Sequence, residues 1–335
     1  MSVECGIVEG MVEHRTLDVP VPFVALAPMA DVTDPAFRRL IARLGKPDLM
    51  WTEFVSADGL YHTREIQMLD PNENPLMCDL RFDESERPII AQLFSSDPAM
   101  MEYGASTIAE LGFDGVDLNM GCPDRSVEKQ GAGAALLKDP KRARELIRAA
   151  KRGVAGRIPV TVKTRTGYRT HDTAHWIPEL LAEEPALITL HARTRRELSD
   201  VPARWDEVRE AVRLRDALGV ATKIAGNGDV VSLDDAQERI RGTGADGAMI
   251  GRGVFGNPWF FSNHIPTVQE KLETLVEHCE LFEALVRHKS FAVMRKHFKA
   301  YVRDFSGASQ LREELMRCES ASAVHDAVSA YVACR

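Results

Sequence analysis

The sequence predicts an α/β protein, a (β/α)8 TIM barrel followed by a small C-terminal all-helical bundle. Three observations carry this. Between residue 20 and about residue 260, short β-branched or apolar runs ending in Gly, Asn, Asp or Pro alternate with amphipathic helical stretches. That is the pattern of a parallel sheet with helical connections. Eight such units occur, the number that closes a sheet into a barrel. After Trp259 the strand signals stop and only helical ones follow.

In order, strands are expected at 23–27, 51–55, 89–94, 115–118, 160–164, 187–190, 222–225 and 247–250. Helices are expected among the connections at 35–44, 98–111, 140–151, 205–218 and 233–241. In the tail, Thr267-x-x-Glu270 reads as a capping box opening a helix that runs to about Val286. Ser290 opens a second helix, Ser306-Gly307 punctuates the chain, and stretches from Ala308 and Ser320 supply two more. Within the second helix Phe291, Met294, Phe298, Tyr301 and Phe305 recur at spacings of three and four, an apolar stripe that has to be buried. Arg295, Lys299 and Arg303 fall on another face of that helix. The expected division is an unassigned extension 1–19, a catalytic barrel 20–262 and a helical domain 267–335.

Composition limits the class of function. A chain of 335 residues, 44% hydrophobic and 27% charged, can bury a large core without a disulfide or metal staple. The amino terminus has glutamates where a secretory leader needs a basic and then an apolar stretch. No uncharged apolar run is long enough to span a bilayer, so a cytoplasmic protein without a membrane partner is expected. The six cysteines form no CxxC pair and no zinc spacing, which fits a reducing compartment and predicts no metal site. A net charge of −8 argues weakly against nucleic acid as a partner, yet leaves room for a local basic patch.

In a barrel of this kind the active site lies at the carboxyl ends of the strands, and these ends are rich in reactive residues. Pro28, Met29 and Ala30 follow the first strand, Gln92 lies in the third, and Asn119 and Cys122 close the fourth. Lys163 and Arg165 end the fifth, and His191 and Arg193 the sixth. Asn227, Gly228 and Asp229 end the seventh, and Gly251 and Arg252 the eighth. Glycines after strands seven and eight let backbone N–H groups approach an anion, to which Arg252 adds a charge-assisted bond. A phosphate is expected there, belonging to a flavin mononucleotide, pyridoxal phosphate or a sugar phosphate. Lys163 fits either a Schiff base, as in aldolases, or charge stabilisation beside N1 of a reduced flavin. Gln92 donates and accepts together, which suits the edge of an isoalloxazine ring. Cys122, with no activating histidine in its motif, is expected to be protonated at neutral pH and to act as a proton donor.

The motifs resemble those of one family. Ala27-Pro28-Met29-Ala30-Asp31-Val32-Thr33-Asp34, Leu118-Asn119-Met120-Gly121-Cys122-Pro123 and Gly131-Ala132-Gly133-Ala134-Ala135-Leu136-Leu137 are similar to the tRNA-dihydrouridine synthases. Val162-Lys163-Thr164-Arg165, His191-Ala192-Arg193-Thr194-Arg195 and Gly251-Arg252-Gly253 continue the resemblance in the same order, as do Arg295-Lys296-His297 and Gly307-Ala308 in the tail. Asp31 stands where the family usually has glycine.

What the resemblance implies is an FMN enzyme, driven by NADPH, that reduces the C5–C6 bond of particular uridines in tRNA. Pro28, Met29, Ala30, Gln92, Lys163, His191, Asn227, Gly228, Asp229, Gly251 and Arg252 would hold the FMN. Asn119, Arg165 and Arg193 would meet the substrate, and Cys122 would give the proton. RNA is expected between the tail face of Arg295, Lys299 and Arg303 and a second wall that includes Arg195 and Arg196. A monomer is expected. Competing readings are an FMN oxidoreductase of a small metabolite, a Schiff-base aldolase using Lys163, and a non-catalytic RNA-binding module.

Overall fold

The computed structural model describes residues 17–333, so most of the expected extension 1–19 lies outside the described residues. Eight strands are present: β1 (Phe23–Leu26), β2 (Met50–Ser56), β3 (Ile89–Phe94), β4 (Gly115–Met120), β5 (Val160–Arg165), β6 (Leu187–His191), β7 (Lys223–Asn227) and β8 (Gly247–Ile250). They form one parallel sheet in the order β1-β8-β7-β6-β5-β4-β3-β2. The ring closes between its two edge strands through a single bridge, Ala25 to Leu49, with Leu26 N donating to the Leu49 carbonyl at 3.0 Å. Among the described residues no helix is long and apolar enough to cross a membrane.

The expected helices are present within a few residues of their predicted ends. Three of them, Pro35–Leu44, Pro98–Glu110 and Pro140–Val154, open on an Asp-Pro pair. In each the aspartate carboxylate accepts a backbone N–H of the first turn, and proline fills the first helical position, where no N–H is needed. The strand pattern reveals why the core and the site coexist. Along β4, Val116, Leu118 and Met120 face outward into the main core with Met101, Ala105, Ile108, Leu146 and Ile147 of the covering helices. Asp117 and Asn119, the alternate residues, face the barrel interior. The lower interior is filled by a separate apolar cluster that includes Phe23, Ala25, Trp51, Leu187, Ala225 and Met249.

Between β2 and β3 the chain makes a longer excursion than the pattern anticipates. Short helical turns at Ala57–Tyr61, His62–Ile66, Pro75–Asp79 and Glu84–Glu86 occupy it. Its end is anchored by a fully buried ion pair, Arg38 Nε to Glu86 Oε2 at 2.7 Å.

In the tail the capping box of Thr267 and Glu270 opens the helix Val268–Leu285. The second helix needs correction. Phe291–Met294 is a 3-10 turn, the α-helix is only Arg295–Tyr301, and the chain leaves helical geometry at Val302. The apolar stripe is nonetheless packed, with Met294, Phe298 and Tyr301 fully buried. Arg303 therefore does not continue the face of Arg295 and Lys299. It lies beyond the helix, exposed, 3.6 Å from Asp304. Two further helices, Ala308–Leu315 and Ala321–Ala333, complete the bundle, whose core also takes in Ala36 and Trp259 of the barrel.

One lysine ties the tail to the barrel. Lys289 Nζ lies 2.8 Å from Glu53 Oε2, 3.0 Å from Asp79 Oδ1 and 3.5 Å from Asp31 Oδ1. An irregularity of β2 between Trp51 and Phe54 turns Glu53 toward it. Asp31, in the loop after β1, holds a left-handed φ of 52°, which is why glycine is the easier residue there. Its N–H donates to the other Glu53 oxygen, and Lys296 approaches its carboxylate at 3.8 Å. Burial pushes Glu53 up to about 7 despite the lysine. Removing one partner of a buried ionic cluster strands the other. Lys289→Met is therefore expected to cost roughly 3 kcal/mol in urea unfolding at pH 8. Glu53 takes up a proton as the pH falls through its raised value and no longer needs a cation, so the loss at pH 6 should be smaller. An equal loss at both pH values would show that Glu53 is not the stranded group.

Candidate active site

A cavity of about 680 Å³ opens at the carboxyl ends of the strands, a size suited to a cofactor-sized ligand. Lying last or near last in their strands, Asn119, Lys163, Arg165, His191 and Asn227 all reach it. Sheet register sets them side by side, Asn119 opposite Lys163, and Arg165, His191 and Asn227 in one row across β5, β6 and β7. Pro28, Met29, Gln92, Cys122, Arg193, Gly228, Asp229, Gly251 and Arg252 line it as well. Ala30 is exposed and stands outside the lining.

The floor is a chain of amides. Asn119 Oδ1 accepts from the backbone N–H groups of Gly121 (3.1 Å) and Cys122 (2.9 Å), and Asn119 Nδ2 donates to Gln92 Oε1 at 3.0 Å. Lys163 Nζ donates to Asn227 Oδ1 at 3.2 Å. Burial, with Arg165 nearby, lowers Lys163 to about 8. The Cys122 thiol is pushed up from its ordinary value, chiefly by burial. Among the described residues no histidine is bonded to it, and with its value raised the group at rest is a thiol.

A second cluster lies at the ends of β6, β7 and β8. Arg193 Nη2 contacts both oxygens of Asp229, Arg252 Nη2 reaches Asp229 Oδ1 at 2.6 Å, and Ala203 N donates to Asp229 Oδ2 at 2.8 Å. Against burial, these donors hold the Asp229 carboxyl below its ordinary value. Arg193 Nη1 donates to His191 Nε2 at 3.1 Å. A guanidinium only donates, so that nitrogen carries the lone pair and the ring proton sits on Nδ1. Burial and then the charges of Arg165 and Lys163 keep His191 neutral, well below the usual imidazole value. Gly228 has φ 126°, and a Cβ there would lie 2.8 Å from that of Ala203, so only glycine lets the chain turn at this point.

The structure separates the remaining expected residues. Arg165 is buried, with Nε on the Gly121 carbonyl at 2.8 Å and Nη1 on the Thr194 carbonyl at 3.1 Å, so it braces the loops beside Cys122 as well as lining the cavity. Burial lowers it to about 10. Arg195 lies outside the cavity, bonded to Glu128 and 5.7 Å above the Tyr168 ring. Arg196, Lys299 and Arg303 are exposed, and Arg295 is half-buried. Unanticipated wall residues are Phe54, Ser199, Val230, Val231 and Met249. A further group, Asp117, sits directly below the amides. A carboxylate in the middle of an apolar run, Val116-Asp117-Leu118, was the available signal for it.

Comparison with known proteins identifies the family. The family model of dihydrouridine synthase (Dus) matches residues 25–333. A probable tRNA-dihydrouridine synthase of Staphylococcus aureus is 36% identical over 315 residues, covering 92% of this chain and 93% of that protein. A probable tRNA-dihydrouridine synthase 2 of Bacillus subtilis is 36% identical over 319 residues, covering 94% and 95%. Among solved structures, histamine dehydrogenase from Rhizobium sp. 4-9 superposes with a TM-score of 0.52 at 13% identity, over 77% of this chain and 48% of that one, a likeness of fold alone.

The raised thiol makes a prediction independent of any ligand. Carboxamidomethylation of Cys122, followed peptide by peptide, should still be accelerating at pH 9, because thiolate is the reactive form. A rate that levels off below pH 8 would mean an activated thiolate instead.

Proposed function

The chain belongs to the dihydrouridine synthase family, and from that premise we propose that it reduces the C5–C6 bond of particular uridines in transfer RNA, with FMN as its bound flavin, NADPH as reductant and Cys122 as proton donor. It is an oxidoreductase acting on a CH–CH bond. The observation that carries the finer reading is one cavity in which a protonated thiol, a fixed pair of amides and a lysine converge: Cys122, Gln92 with Asn119, and Lys163.

The donor set fits a flavin. Lys163 and Gln92 would meet the ring system, neutral His191 offers a donor at Nδ1, and Gly228, Gly251 and Arg252 would take the phosphate. When bound and reduced, the flavin supplies hydride to C6 of the uracil. The rest falls to the chain. Asn119, its oxygen already taken twice, offers the cavity an N–H for a ring carbonyl. The Cys122 Sγ–H gives its proton to C5, and the charges of Arg165 and Lys163 favour the thiolate that remains until solvent returns a proton. Lys163 at about 8 would also serve a Schiff-base aldolase, but family membership assigns an oxidoreduction at a CH–CH bond, whereas an aldolase makes or breaks a carbon–carbon bond with no change of redox state. The relatives' names speak of transfer RNA and not of a small metabolite.

In this reading the barrel, 20–262, is the FMN-binding catalytic domain and 267–335 an RNA-binding domain. Exposed Arg196, Lys299 and Arg303 offer phosphate contacts on an otherwise acidic body. The enzyme works as a monomer in the cytoplasm.

Two outcomes are expected. Cys122→Ala should retain flavin and accept electrons from NADPH, yet reduce uridine in tRNA roughly 10²- to 10⁴-fold more slowly. Unchanged uridine reduction would leave the thiol without a role. Flavin affinity of the stripped protein should fall as the pH rises through about 8, where Lys163 gives up its proton and one cation facing an anionic ligand is lost. Lys163→Met should abolish that step, and its persistence would point to a different titrating group.

A further inference from the structure

Beneath the site lies a buried carboxylate that the reaction as derived above does not use. Asp117, on β4, is 1% exposed. Its Oδ2 accepts from Gln92 Nε2 at 2.6 Å, and its Oδ1 accepts from the Thr161 hydroxyl. Register places it opposite both neighbours, Gln92 on β3 and Thr161 on β5. Burial pushes its carboxyl up to about 6, against the pull of the Gln92 and Thr161 hydrogen bonds, so it is mainly ionised at neutral pH.

An ionised carboxylate only accepts, and a backbone N–H only donates. These two facts fix the direction of every hydrogen bond between them. At one end the Gly121 and Cys122 N–H groups demand the oxygen of Asn119. Asn119 must then turn its NH2 to Gln92, Gln92 must receive it on oxygen, and the Gln92 NH2 must point at position 117. The chain has one polarity, pinned at both ends, and its upper end is the turn that carries the Cys122 thiol.

We propose that Asp117 is a positioning residue: through Gln92 and Asn119 it holds the Gly121–Cys122 turn, and with it the thiol, in one place. The proposal deepens the function given above and rests on that reading for its kinetic consequence alone. Without an acceptor at 117, the Gln92 NH2 is left buried and unpaired. Gln92 then has reason to rotate, Asn119 loses its fixed partner, and the turn gains a second arrangement. A misplacement of about 1 Å at a reacting group is worth roughly 10²-fold in rate.

The test uses the full-length protein as purified and iodoacetamide as the probe, with modification of Cys122 followed by peptide mass analysis at pH 8.5. In Asp117→Ala the rate should rise about fivefold, the change expected from losing one hydrogen bond that restrains the turn. In Asp117→Asn it should stay within about twofold of the parent, because an amide oxygen still accepts from Gln92 while its NH2 faces the Thr161 oxygen. In turnover, Asp117→Ala should lose roughly 10²-fold in kcat for uridine reduction with little change in KM for tRNA, and Asp117→Asn should restore most of it.

An alkylation rate in Asp117→Ala equal to the parent's overturns the proposal. So does an Asp117→Asn protein as impaired as Asp117→Ala, since negative charge and not hydrogen-bond direction would then be what matters. If Asp117→Ala fails to fold, Asp117→Leu removes the same acceptor while filling the space of the side chain and should likewise raise alkylation about fivefold; no change there also overturns it. Failure of the parent to reduce uridine would defeat the proposed function and leave the alkylation result standing.

Discussion

A β-strand shows alternate residues to opposite faces, and in a closed barrel one of those faces has no access to water except at the mouth. Everything chemical in this protein depends on that constraint. In β4 and β5 the outward residues are Val116, Leu118, Met120, Val160 and Val162, which pack on helices, and Thr164, whose hydroxyl bonds Trp176, while the inward ones include Asp117 and Asn119, Thr161, Lys163 and Arg165. Polar groups inside a barrel cost least when they satisfy one another. Asp117, Thr161, Gln92 and Asn119 do this among themselves and so become rigid. Packing of the outer face and preorganisation of the inner face are thus a single solution.

The same logic shaped what the sequence reveals. Strand positions were legible because apolar runs and turn residues are local signals, and the reactive strand ends followed from barrel topology. What period-two reading adds, once the strands are seen to extend to Met120, Arg165, His191 and Asn227, is that the reactive residues belong to the strands themselves and are held by register. Arg303 was misplaced because helical periodicity does not announce where a helix stops. Val302 ends it with its side chain buried in the tail core. Phe54 escaped notice because an aromatic residue beside an irregular stretch of strand carries no sign of the cavity it faces. Arg165 and Arg193 were legible as site residues, but not as braces, since carbonyl partners such as those of Gly121, Thr194 and Val201 leave no trace in side-chain sequence.

Charge is distributed with similar economy. The chain carries a net charge of −8, yet Lys163, Arg165, Arg193 and Arg252 line one cavity opposed by Asp229 alone among its carboxylates. Asp229 sits between two of these arginines and keeps them apart. An anionic ligand therefore enters a locally positive mouth on an acidic body, which favours a ligand that fits the cavity over loose binding of polyanions elsewhere.

The ring of strands has one weak joint, the single bridge between β1 and β2. Lys289 comes from the helical tail, but it binds Asp31 just beyond β1 and Glu53 within β2, one group on each side of that joint. The tail is a clasp across the seam as well as a neighbour of the mouth. The barrel is consequently not a free-standing cassette. Excised at its apparent boundary it keeps three acidic groups, Asp31, Glu53 and Asp79, without the lysine that joins them, at the place where its own hydrogen bonding is thinnest. Anyone transplanting this barrel, or exchanging tails between relatives, inherits the requirement to carry that lysine along.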